Sequence, residues 1–105
     1  MIHHVALFQT LPHVDEEKLG QMMISARSRL ARITDVAAVR TGKNVDVSSQ
    51  WNFFIAIEVD SMDRLKQIEA DPIYIKFLAE VISPNVSERF VANYEMEPQK
   101  SVRFS

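Results

Sequence analysis

The chain has 105 residues, 47% of them hydrophobic and 25% charged, with a formal net charge of −2 and no cysteine. That is the composition of one soluble globular domain with an ordinary core. It excludes disulfides, thiolate metal sites and cysteine nucleophiles, and the charge gives no bulk attraction to nucleic acid or to an anionic membrane.

The opening "MIHHVALFQTLP" lacks a basic leader, and its apolar run is broken by Gln9, Pro12 and His13. It reads as a strand over Ile2–Gln9 and not as a signal peptide. No run in the chain approaches the roughly 18 apolar residues of a membrane span. The expected setting is the cytoplasm, since cysteine-free chains suit a reducing compartment.

In "HVDEEKLGQMMISARSRLARI", Asp15 is placed to cap a helix, and Glu16 and Glu17 suit its positive end. Leu19, Met22, Met23, Ala26, Leu30 and Ile33 recur at three- and four-residue steps, which predicts one apolar stripe on a helix of about 18 residues. "DVAAVRTGKN" predicts a second strand ending in a turn at Gly42. "KNVDVSS" is polar and reads as a loop. "QWNFFIAIEV" predicts the strongest strand, with Trp51, Phe53, Ile55, Ile57 and Val59 on one face.

Ser61 is a candidate cap for a short helix with Leu65 and Ile68 inward. Asp71-Pro72 reads as a fresh cap followed by proline at the first helical position. Tyr74, Phe77, Leu78, Val81 and Ile82 continue as a helical stripe until Ser83-Pro84. "ERFVANYEM" predicts the last strand. Residues 98–105 read as a tail, in which Val102 and Phe104 are the apolar positions.

Strand, helix, strand, strand, helix pair, strand is the split βαβ order of an α+β, ferredoxin-like domain, with its helices on one face of an antiparallel sheet. Both faces of the first and third strands are substantially apolar, and helices cover only one. A second copy of the chain, sheet against sheet, is the simplest cover, so a homodimer is expected.

"MIHHVALF", "PHVDEEKL", "VRTGKNV", the strand ending "EVDS", "ADPIYIKFLAEVISP" and the closing "VANYE" together resemble the stress-responsive A/B-barrel (Dabb) family. The resemblance covers residues 1–97. It implies a ferredoxin-like fold that pairs through its sheets into a dimeric α+β barrel. Many members of that family have no assigned reaction. One plant branch comprises polyketide cyclases that work without a cofactor, and more distant relatives include cofactor-free monooxygenases and heme-degrading enzymes.

His3 and His4 are adjacent in a strand, so they point to opposite faces and cannot grip one metal together. His13 lies beyond Pro12, and no other histidine exists, so no metal site is expected. His3 belongs to the sheet face that meets a partner, or to solvent near the terminus. His4 matches the first-strand histidine of the cyclase branch, which faces a pocket under the helices. There it is able to hydrogen-bond a carbonyl or move a proton near neutral pH. The branch's base falls on Tyr74, whose ordinary pKa near 10 makes it a poor base. The branch's pocket tyrosine falls on Ile68.

With His4 and Tyr74, the residues Phe8, Met22, Met23, Ile55 and Phe77 make a candidate ligand pocket. Each has an equally good place in an ordinary core. Three functions fit these residues. One is a homodimer that binds a small apolar or aromatic molecule with no reaction. The second is a cofactor-free enzyme, cyclase-like lyase or monooxygenase-like, using His4. The third is a structural stress protein whose product is the oligomer.

Overall fold

The computed structural model describes residues 1–97; the tail with Val102 and Phe104 lies outside the described residues. The elements in order are β1 (Ile2–Thr10), α1 (Glu16–Leu30), β2 (Ala38–Lys43), β3 (Phe53–Val59), α2 (Met62–Glu69), α3 (Pro72–Phe77) and β4 (Val86–Glu95). The sheet is antiparallel throughout, in the order β2-β3-β1-β4.

Each helix starts where the sequence supplies a cap. Asp15 accepts from the Lys18 N–H at 2.8 Å, Ser61 from the Arg64 N–H at 3.2 Å and Asp71 from the Ile73 N–H at 2.8 Å. Each satisfies one of the orphan donors of a helix start. Met22, Ala26 and Leu30 of α1, Leu65 and Ile68 of α2, and Tyr74 and Phe77 of α3 pack with Ala6, Phe8, Phe53, Ile55, Ile57 and Val59 of the sheet in one core. Phe8 and Phe53, register partners on β1 and β3, stack with ring centroids 4.8 Å apart. Burying such residues is the main favourable term in this fold, at about 25 cal/mol per Å² of apolar surface.

Four local expectations need correction. α1 ends at Leu30, not Ile33. The chain tightens there through Arg32 N–H to Arg29 O and Ile33 N–H to Leu30 O, and it reverses at Asp35, whose φ is 77°. Ile33 is still buried, but on a turn. Gly42 is no turn: it lies within β2, paired with Phe54. A Cβ at Gly42 would sit 2.7 Å from Phe54 Cε1, so the glycine makes room for that ring. β3 begins at Phe53, so alternation does not carry back to Trp51. The Trp51 ring instead lies 6.3 Å from that of Phe90 on β4.

The fourth concerns the last helix. After α3 the chain continues through a π-helical turn, Leu78–Ile82, closed by Ser83 N–H to Leu78 O at 2.8 Å. That i→i+5 bond inserts an extra residue into the turn, a device frequent at functional sites.

The face away from the helices carries Val5, Leu7, Phe54, Ala56, Phe90, Ala92 and Tyr94, as strand alternation and register require. Phe90 and Tyr94 are 55% and 56% exposed. β4 is an edge strand, and nearly all of its residues are exposed on both faces.

Candidate functional site

His4 lies on β1 between β3 and β4, opposite Ile57 and Asn93. It shares the helix-covered face with Ala6 and Phe8 and is 4% exposed. Its Nδ1 is 2.7 Å from Asn93 Oδ1. With that oxygen accepting, the Nδ1–H is the donor. Nε2 has no hydrogen-bond partner among the described residues. Nor is it a sealed, unpartnered atom; among the described residues only Arg29 Nη1 is that.

The other two histidines are held elsewhere. His3 projects from the opposite face, with Nε2 2.8 Å from Glu58 Oε1 across the β1–β3 ladder. His13 Nε2 is 2.9 Å from Asn85 Oδ1. The Asn85 Nδ2 donates to Val81 O at 2.8 Å, which fixes the amide's orientation and makes His13 the donor to Oδ1. Among the described residues no three His, Asp or Glu side chains gather where an ion would be held.

Tyr74, on α3, is 8% exposed and packs in the same core as Phe8, Met22, Ile55 and Phe77; Met23 is half-buried beside them. Six of the seven candidates thus lie in or against the general core of the domain, and His4 is buried on the same side of the sheet. A His4–Tyr74 hydrogen bond is not among those formed by the described residues; the partner of His4 is Asn93. Burial first, and then the charge of Glu69, raise the Tyr74 phenol above its ordinary value near 10, with Arg89 opposing. The folded state then holds this proton more tightly than the unfolded chain does. That contribution is fully present below pH about 10 and is lost as pH rises through the folded-state value. Urea unfolding of wild type should accordingly weaken above pH about 10, and Tyr74→Phe should flatten that slope. Equal slopes in the two proteins would mean that the phenol does not titrate with folding.

Asn93, Asn85 and Arg89 are polar groups of this region that sequence reasoning did not single out. A signal existed for one of them. Asparagine is disfavoured within strands, so Asn93 inside "VANYE" asks for a reason, and the reason is His4.

Of four clefts lined by described residues alone, none includes His4 or Tyr74. The cleft nearest in register lies between the π-helical turn and the start of β4, with a volume of about 360 Å³. A larger one, of about 640 Å³, lies on the open face around His3, Arg40 and Glu58.

These features define a ferredoxin-like α+β domain with an apolar open sheet face and, on its helix-covered side, a buried histidine hydrogen-bonded to an asparagine of the edge strand. Residues 2–96 match the family model described as the Stress responsive A/B Barrel Domain. The chain belongs to that family. Among solved structures it is similar to a Dabb family protein with a ferredoxin-like fold from Mesorhizobium loti, at 14% identity and a TM-score of 0.79, covering 92% of this chain and 97% of that one. It is also similar to a dimeric ferredoxin-like protein of unknown function from Thermobifida fusca, at 20% identity and 0.79, covering 90% of each. A third similar structure is the hydroxynitrile lyase of Passiflora edulis, at 12% identity and 0.78, covering 94% of this chain and 95% of that one. At such identities the likeness is one of fold. No curated protein matches the sequence. No helix among the described residues is long and apolar enough to cross a membrane.

Proposed function

We propose that the protein acts as a homodimer, joined through its open sheet face, that binds a small apolar or aromatic molecule under the helices beside His4 and Tyr74. The observation that carries the binding site is the histidine itself. Asn93 meets its Nδ1, and the buried side chains on the same side of the sheet include the apolar Phe8, Ile55, Tyr74 and Phe77. A lone polar atom among apolar walls orients a ligand by one hydrogen bond and leaves the rest of the affinity to burial. The pairing is supported by the apolar stripe over three strands of the open face, and by the dimeric state of the similar Thermobifida fusca protein.

A second reading, a cofactor-free enzyme of the lyase or monooxygenase type, rests on the same tautomer. An imidazole whose Nδ1–H donates to Asn93 Oδ1 has Nε2 as its acceptor nitrogen, the atom a proton transfer would use. Tyr74, buried and with its pKa raised, does not supply a second base at neutral pH.

Benzyl alcohol titrated into the protein should give saturable NMR shifts at Phe8, Tyr74 and Phe77, and raise the melting temperature by mass action. Loss of one neutral hydrogen bond in His4→Ala should weaken its binding about tenfold. If His4→Ala lowers stability but leaves the titration unchanged, the histidine is a core residue and the ligand-site reading fails. Shifts absent from these residues in wild type would also defeat it.

A further inference from the structure

We propose that the cleft between the π-helical turn and β4 is a second small-molecule site, which takes an amphipathic carboxylate with its apolar body against Leu78, Ile82 and Val86 and its carboxylate on Arg89. The apolar walls Leu78, Ile82 and Val86 are not among the candidate residues of the His4 pocket, whereas Arg89 borders both sites, since its charge also reaches Tyr74. The cleft measures about 360 Å³, within the usual range of roughly 300–1,000 Å³ for small-ligand sites.

Its shape comes from the backbone. The wall is the π-helical turn Leu78–Ile82, and it faces the start of β4 across the cleft. Asn85, buried at 4% exposure, locks that wall in place: its side chain holds Val81 O, and its backbone N–H holds Ile82 O at 3.0 Å. The opening is therefore built into the fold.

Arg89 supplies the charge. Its register partner is Phe8, so its side chain leaves β4 on the helix-covered side. The side-chain ion pairs among the described residues are His3–Glu58, Arg29–Glu80, Lys43–Glu16 and Arg64–Asp35; Arg89 takes part in none of them. Glu88 also lines the cleft, so its carboxylate is the one like charge that a bound carboxylate meets there. The Ser87 hydroxyl already donates to Gln9 O at 3.2 Å. Ser83 is exposed at the rim and offers a hydroxyl. One guanidinium and one hydroxyl match a monoanion, and a planar carboxylate fits the guanidinium fork; a phosphate dianion would call for a second cation.

The test is an NMR titration of 3-phenylpropanoate against its neutral analogue 3-phenylpropanamide. The carboxylate should move the amide signals of Ser83, Ser87 and Arg89 saturably and bind about tenfold more tightly there than the amide, the worth of one charge-assisted pair. Arg89→Gln should abolish that preference, and Arg89→Lys should retain part of it. Ser83→Phe, which narrows the rim without touching the charge, should weaken both probes. Equal affinities for acid and amide would overturn the proposal. So would carboxylate binding that survives Arg89→Gln, or saturable shifts confined to the His4 region.

Discussion

Asn85→Ala should lower the unfolding free energy by about 2–3 kcal/mol, a large share of the roughly 5–15 kcal/mol a small domain has. The side chain is almost fully buried and joins two segments far apart in sequence, accepting from His13 Nε2 and donating to Val81 O. Its backbone adds Leu11 N–H to Asn85 O at 2.8 Å. Alanine keeps the backbone bonds but strands the Val81 carbonyl inside the π-helical turn, and an unmet buried acceptor costs more than a bond is worth. His13→Ala should cost less, about 0.5–1.5 kcal/mol, because His13 is exposed and water replaces it. Urea denaturation of both singles and the double variant gives the coupling directly. A loss under about 0.5 kcal/mol in Asn85→Ala would show that the turn holds without this residue.

Phe90→Asp should break the dimer. Multi-angle light scattering of wild type should return twice the 12.1 kDa protomer mass, and the variant the protomer mass alone. Phe90 sits mid-strand on the open face, opposite Leu7 and against the Trp51 ring. A carboxylate there must be desolvated without a partner, at a cost of several kcal/mol. In a two-fold interface each substitution appears twice, so the dissociation constant should rise more than about a hundredfold. A wild-type mass of one protomer would refute the pairing. An unchanged variant mass would place the interface elsewhere.

The element order was legible because each segment carries its own period and its own cap. Asp15, Ser61 and Asp71 all cap helices as their positions suggest. What escaped depended on partners distant in the chain. Gly42 looked like a turn because glycine usually punctuates; here its bareness serves a ring twelve residues on, which only strand pairing reveals. Trp51 was assigned a face by alternation, but alternation holds only inside a strand, and the strand starts two residues later. The site shows the same limit. That His3 and His4 diverge follows from the period of a strand. That His4 meets Asn93, 89 positions away, follows only from the register of β1 on β4. Arg89 drew no notice for that reason: a lone arginine in a strand acquires meaning from what the opposite element leaves open.

The placement of Trp51 has a practical side. It is the chain's one tryptophan, and its ring lies 6.3 Å from that of Phe90, on the face through which two copies are proposed to meet. The molecule thus contains its own optical gauge. Emission colour and quenching by acrylamide will track how wet that surface is, with no label attached, and a dilution series read in a fluorimeter will trace assembly as it comes apart.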